Sequence, residues 1–284
     1  MKTGLVLEGG GMRGMYTAGV LDFLMDKNIR FDEVSAVSAG AAFGVNYFSD
    51  QKGRAIRYNK KYNGDKRYIS LTSLITTGNL VNTDFVYNVV PRKLDIFDDE
   101  AFKNSGVDYY AAVTCMDTGE AEYIKVKSVF EQMDVLRASA SLPFVSRPVV
   151  INGQKYLDGG VADSIPYKKL LETGCDKIVV ILTRDASYKK KKMKELPAHL
   201  AYRKYPEFMK KLKERHENYN ESIENLKKLE AEGKVFVIRP SAPIEIGRME
   251  KDPDKLQAVH DLGRRDAEES FPKLREYLAT GEAL

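Results

Sequence analysis

Gly9-Gly10-Gly11-Met12-Arg13-Gly14 has the spacing G-x-G-x-x-G, directly after a short apolar run and before a helical pattern. Glycines in such a loop let backbone N–H groups point at an anion, and the following helix N-terminus adds a favourable dipole. The anion can be a pyrophosphate or a developing oxyanion. A dinucleotide site needs an acid at the end of the second strand to hold a ribose. Here the second strand candidate ends at Val37-Ser38, with Asp32 and Glu33 ahead of it, and no Gly-Lys-Ser/Thr follows the loop to make a P-loop. Ala36-Val37-Ser38-Ala39-Gly40 is a G-x-S-x-G pattern with Ala in first place, the kind of segment that turns from strand to helix and lifts a serine hydroxyl above a sheet. The bland alternative is a small-residue turn holding a structural serine. With the glycine loop on the same sheet edge, the two segments have the layout of an acyl-transfer site.

A nucleophilic serine needs a base. The chain has three histidines, His199, His216 and His260. His199 is next to the lysine run, His216 is in a charged helical pattern, and His260 is in a polar helical stretch. None sits on a turn after a strand, where a triad base belongs. Asp158-Gly159-Gly160 follows Tyr156-Leu157, so a carboxylate ends a strand candidate with room beside it. Such a tripeptide is also a common turn.

These segments need a parallel sheet to converge. Thr3–Leu7 and Glu33–Val37 read as strands, and Met15 to Met25 and the stretch opening at Ala41 read as helices; strand and helix alternating with short connections imply an α/β fold. Tyr109–Thr114 and Glu122–Val126 read as strands joined through Asp117-Thr118-Gly119. Val149–Ile151 and Gln154–Leu157 flank Asn152-Gly153, a strong hairpin signal. Ser164 is a candidate N-cap, with Pro166 inside the helix that follows. Lys177–Leu182 and Val235–Ile238 read as buried strands. Between them Phe208, Met209, Leu212, Tyr219, Ile223, Leu226 and Leu229 form an apolar helical stripe closed by Gly233.

The net charge of +4 is not evenly spread. Arg184 to Lys234 holds 15 Lys and Arg against 9 Asp and Glu, so the rest of the chain is near neutral. The densest part, Lys189–Lys192, Met193, Lys194, suits either a solvated face or attraction to an anionic surface. No zinc spacing, RNA-binding aromatic motif or heptad array is present, which argues against a nucleic-acid partner. No cluster has metal-ligand spacing. No run of about 18 apolar residues exists to cross a membrane. An acid at Glu8 comes too early for a signal peptide. Cys115 and Cys175 fit free thiols in a reducing compartment. The expected location is cytoplasmic, with peripheral membrane contact at most.

Taken together, the segments resemble the patatin-like phospholipase family. The family's G-G-G-x-[R/K]-G matches Gly9 to Gly14 at every position, its G-x-S-x-G matches Val37 to Gly40 with Ala36 replacing the first Gly, and its D-G-[A/G] matches Asp158-Gly159-Gly160. An Ala-Ser pair followed by Pro is matched by Ala138-Ser139-Ala140-Ser141-Leu142-Pro143. The resemblance covers roughly residues 3 to 182 and implies a three-layer α/β/α fold with a mostly parallel sheet. Residues 183–284 are similar to the helical extension of some bacterial members, packed on the catalytic domain. The resemblance further implies a lipid acyl hydrolase of phospholipase A or lysophospholipase type, with Ser38 as nucleophile, Asp158 as base and no cofactor or metal. It places the oxyanion donors at the amides of Gly10, Gly11 and Met12. Arg13 then holds the loop, adds positive potential, or is an ordinary surface arginine. The segment Arg54–Pro91, rich in Tyr, Arg, Lys and Asn, is a candidate cap whose residues suit a zwitterionic or anionic headgroup. A general carboxylesterase or thioesterase, and a non-catalytic lipid-binding protein on the same scaffold, are the alternatives.

Overall fold

The computed structural model describes residues 1–193 and 201–279. Thr3–Leu7 (β1) and Glu33–Val37 (β2) are buried along nearly their whole length, as strands covered on both faces must be. They pair in parallel, and with Asp108–Cys115 (β3), Lys177–Ile181 (β7) and Val235–Ile238 (β8) form a parallel order β3-β2-β1-β7-β8. Ala121–Val126 (β4) runs antiparallel along the outer edge of β3. The hairpin of Val149–Ile151 (β5) and Gln154–Asp158 (β6) completes the eight-stranded sheet.

Side chains alternate between the two faces. Leu5 and Leu7 pack on one side among Met15–Asp26 (α1), Ala39–Phe48 (α2), Arg54–Tyr62 (α3) and Pro253–Ala279 (α9). Val6 faces the other way, toward Tyr167–Glu172 (α7) and the long helix Pro206–Ala231 (α8), where Leu170, Tyr219 and Leu226 meet Ile178 and Val180. The fold is the expected three-layer α/β/α arrangement. In the chain, Leu71–Thr77 (α4), a wide helical stretch Phe85–Leu94 and the short helix Asp99–Asn104 (α5) come between α3 and β3, and the short helix Met133–Ser139 (α6) follows β4.

The register of β3 positions the site. β4 occupies one edge of β3 from Tyr109 to Thr114. On the other edge β2 pairs with Asp108 to Ala112, and β6 pairs with Val113 to Cys115 in the opposite sense. The two strands therefore run toward each other along one edge. Val37 stands opposite Ala112 and Asp158 opposite Val113. The residue after β2 and the last residue of β6 have to meet.

Two local expectations change. Ser164 does not cap the next helix: its hydroxyl donates to the Gly160 carbonyl at 2.8 Å, and Pro166 holds the N-cap position of α7. A hydroxyl committed to the preceding turn cannot reach the first-turn amides. The C-terminal residues are also not a purely helical appendage, because β8 extends the sheet beside β7 and α9 lies against α1. That helix contact is backbone-close. A Cβ on Gly19 would come within 2.0 Å of the His260 carbonyl oxygen.

Candidate active site

Ser38 follows β2 and opens α2, whose first bond runs from the Ala42 amide to the Ser38 carbonyl at 3.0 Å. Its backbone is at φ 56° and ψ −124°, a conformation non-glycine residues avoid and one that costs of order 1–3 kcal/mol. The sharp turn that the small flanking residues suggested is therefore present. Ala36 itself lies inside the extended strand, opposite Leu7 and Ala111, so a methyl group there meets no backbone demand that only glycine satisfies. The strain begins at Ser38.

Ser38 Oγ donates to Asp158 Oδ2 at 2.7 Å. The other carboxylate oxygen of Asp158 accepts the Gly160 amide at 2.8 Å, which is why the residues after the aspartate turn back so tightly. Asp158 is held further by its own amide, which donates to the Ser141 carbonyl at 2.8 Å, and by Thr114 Oγ1, which donates to the Asp158 carbonyl at 2.9 Å. The carboxylate is 1 % exposed. Burial pushes its pKa above the ordinary aspartate value, opposed by the charge of Arg215 and by the hydrogen bonds from Ser38 and Gly160. A free aspartate is a feeble base for an alcohol; a buried one is stronger.

The glycine loop lies beside the pair. Gly11 has φ +59°, and a Cβ there would meet the Arg248 carbonyl oxygen at 2.5 Å. That carbonyl accepts the Met12 amide at 3.0 Å. Met12 is thus removed from the expected oxyanion donors, because its N–H is already committed to the segment before α9. The amides of Gly10 and Gly11 have no hydrogen-bond partner among the described residues. Arg13 is not a surface residue: it is 7 % exposed, and burial lowers its pKa to about 10.

Two cavities meet at Ser38. One is apolar, about 150 Å³, and lined by Phe43, Tyr58, Tyr68, Val86, Val90 and Leu136 among others. The segment expected to serve a headgroup thus supplies hydrocarbon and aromatic walls. The other cavity is small, about 30 Å³, and polar, with Arg13, Arg184, Lys190, Arg215 and Arg248 in its lining. Gly11, Ser38, Leu142 and Arg248 border both. One member of the basic run, Lys190, is therefore turned inward, and its ammonium lies 4.1 Å over the Tyr219 ring.

No described histidine lines either cavity. His216 Nδ1 is 3.0 Å from the Lys213 carbonyl on its own helix, and His260 Nε2 is 2.9 Å from Asp22 Oδ2 between α9 and α1. His199 and Lys194 lie outside the described residues. Sequence reasoning missed the part played by Ser139, whose hydroxyl accepts the Ser38 amide at 2.9 Å, and the inward arginines of the C-terminal hundred residues. Ser139 stood in a motif without an assigned task. Arg184, Arg215 and Arg248 are tens of residues apart in unrelated elements, and no spacing connects them.

The profile of a family described as "Patatin-like phospholipase" matches residues 5–171. The chain belongs to that family, and with it to the hydrolases of lipid esters. A second profile, described as "Domain of unknown function (DUF6363)", matches residues 205–279. The chain is 27% identical over 269 residues to "Uncharacterized protein YjjU" of Escherichia coli, covering 93% of this chain and 75% of that one. It is 30% identical over 183 residues to "Lysophospholipase nte1" of Emericella nidulans, covering 63% of this chain and 12% of that one. "Lysophospholipase NTE1" of Kluyveromyces lactis is 29% identical over 178 residues, with 61% and 12% covered. The chain thus spans a small part of these fungal relatives. The solved structure of VipD from Legionella pneumophila matches with a TM-score of 0.47 at 13% identity, covering 96% of this chain and 67% of that one.

Proposed function

We propose that the protein hydrolyses the carboxylic ester of a lipid by a Ser38–Asp158 dyad, in the manner of a phospholipase A or lysophospholipase. The observation that carries this reading is the 2.7 Å bond from Ser38 Oγ, in the lining of an apolar cavity, to a buried Asp158. Asp158 takes the hydroxyl proton as Ser38 attacks the ester carbonyl. The amides of Gly10 and Gly11 hold the oxyanion, each contributing about 2.7–4 kcal/mol by the usual measure of such donors. The tetrahedral intermediate collapses, and Asp158 returns the proton to the departing alcohol. Water, deprotonated by Asp158, then releases the fatty acid and restores Ser38. No step calls for a metal or cofactor.

The lining of the cavity favours an apolar acyl group over a polar one. At about 150 Å³ it is the size that admits a benzene-sized group. The carboxyl-proximal part of an acyl chain fits there, and the rest leaves by the mouth. The α4 helix exposes Leu71 and Ile75, and it lies in the chain between Ile69 and Val81, which bridge to each other and line the cavity. These apolar side chains, with Lys189 and Lys191, are suited to transient contact with an anionic membrane surface. Among the described residues no helix is long and apolar enough to cross a membrane. The proposed division of labour keeps 3–182 as the catalytic domain and 183–284 as its extension, working in the cytoplasm.

The test is Ser38→Ala and Asp158→Asn on a monoacyl phospholipid and on a fluorogenic fatty-acyl ester. Each is expected to lose at least about a thousandfold in kcat while staying folded by circular dichroism. Full activity in either variant would end the dyad reading, and failure of Ser38 to react with a fluorophosphonate probe would favour a non-catalytic lipid binder.

A further inference from the structure

The polar cavity holds more positive charge than the dyad chemistry uses. Arg13, Arg184, Lys190, Arg215 and Arg248 are among the residues that line it, and no ion pair joins any of the four arginines to a carboxylate among the described residues. Arg215 donates through Nε to the Gly160 carbonyl. Arg13 Nε is buried with no hydrogen-bond partner, in a side chain more than nine-tenths buried. A buried donor without an acceptor is costly and is rarely left so.

The two carboxylates nearby, Glu8 and Asp158, offset part of this charge but leave Arg13 Nε without an acceptor. Glu8 is 3 % exposed, and both its oxygens are taken: Oε2 accepts the Thr183 amide at 2.5 Å and Oε1 accepts the Tyr219 hydroxyl at 3.0 Å. Asp158 is committed to Ser38 and Gly160. The guanidiniums also repel one another, and the charges of Arg184 and Arg248 add to burial in lowering the pKa of Arg13. An anion entering the cavity offsets that repulsion and gives the cationic lining an acceptor.

The shape and lining say which anion. A volume of about 30 Å³ holds two or three water-sized groups, the number of free oxygens on a phosphate monoester. The two tyrosine rings of the lining already carry a cation each, with which a quaternary ammonium would compete. The Tyr188 ring is covered by Arg184 at 4.1 Å and the Tyr219 ring by Lys190 at 4.1 Å. The cavity borders Ser38 as the apolar one does, so it is open to the alcohol half of a bound ester if the acyl chain fills the other.

We propose that this cavity is a subsite for a phosphate monoester on the leaving alcohol, so that the preferred substrates are acyl glycerol phosphates, in place of phosphocholine or phosphoethanolamine lipids. The proposal rests on the hydrolase reading above, but its binding arm does not.

Full-length Ser38→Ala protein is titrated with glycerol 3-phosphate, glycerophosphocholine and inorganic phosphate. Glycerol 3-phosphate is expected to bind at least about tenfold more tightly than glycerophosphocholine, and to lose about tenfold when Arg184→Gln is added, the scale of one charge-assisted hydrogen bond. In the active enzyme, kcat/KM for 1-acyl-glycerol 3-phosphate is compared with that for the 1-acylglycerol of the same chain. The ratio is expected to exceed one and to fall about tenfold in Arg184→Gln and in Arg248→Gln; a folding defect lowers both substrates together and leaves the ratio alone. Equal binding of glycerol 3-phosphate and glycerophosphocholine overturns the proposal, as does a ratio that neither variant moves. Inorganic phosphate binding as tightly as glycerol 3-phosphate, with that ratio unmoved, assigns the cavity to free phosphate and overturns the headgroup reading. If binding is as expected but no ester is cleaved, the subsite stands and the dyad reading fails.

Discussion

The amide of Ser38 donates to Ser139 Oγ at 2.9 Å, and the same hydroxyl donates to the Ala112 carbonyl at 2.7 Å. A serine on α6 thus closes the gap where β2 stops pairing with β3, and it holds the strained turn at Ser38. Ser139 is fully buried, so water cannot take its place.

Ser139→Ala leaves a buried N–H and a buried C=O unpaired. The expected cost is about 1–3 kcal/mol of stability. Because the turn at Ser38 then relaxes, kcat is expected to fall by more than tenfold with little change in KM. Denaturant unfolding and steady-state kinetics on the same preparation check both parts. A stable variant with normal kcat would show that the turn holds itself.

Asp158 must be ionised to accept the Ser38 proton, and burial raises its pKa. The acid limb of kcat/KM is therefore expected above the ordinary value of 3.8, with activity falling as pH drops through it. Arg215 lowers that pKa by its charge, so Arg215→Gln is expected to move the limb to higher pH, measured on a neutral 1-acylglycerol. The same shift predicts stability. A carboxyl whose folded pKa lies above its unfolded one costs stability as pH rises through that interval. The stability of Asp158→Asn relative to the natural protein is expected to grow from pH 4 to pH 8, and urea midpoints at the two pH values test it.

On the proposed mechanism the apolar cavity holds the acyl chain. Val86→Phe adds volume inside it. The ratio of kcat/KM for a dodecanoyl ester over a butanoyl ester is expected to fall about tenfold or more, the usual scale for lost room in an apolar pocket. An unchanged ratio would mean that the chain does not enter there.

His260 ties two helices of the fold together. Its Nε2 is 2.9 Å from Asp22 Oδ2, joining α9 to α1, and it is 5 % exposed. His260→Gln is expected to destabilise the protein by about 1.5–3 kcal/mol while leaving kcat per folded molecule intact. Loss of kcat in a folded variant would reinstate a histidine mechanism.

The segments of the candidate site were legible in the sequence because their requirements are local. The turn at Ser38 needs small neighbours, the loop at Gly11 needs φ +59°, and alternating apolar runs specify a covered sheet; each leaves its mark on adjacent residues. The scarcity of histidine was visible in the same way and directed attention to Asp158.

What only the tertiary structure decided involves partners far apart in the chain. The register of β3 brings β2 and β6 end to end, so that Ser38 and Asp158 meet although 120 residues separate them. Met12 looked like an oxyanion donor until the Arg248 carbonyl took its amide. Arg54–Pro91 looked polar by composition, yet folding turns Tyr58, Tyr68, Val86 and Val90 inward to wall an apolar cavity. The basic excess between Arg184 and Lys234 reads as surface charge along the chain, while the fold gathers Arg184, Lys190 and Arg215 with Arg13 and Arg248 around one cavity. Hydrophobic periodicity records which face of an element is buried. It does not record which distant side chains share the space left over, because that depends on packing summed over the whole molecule.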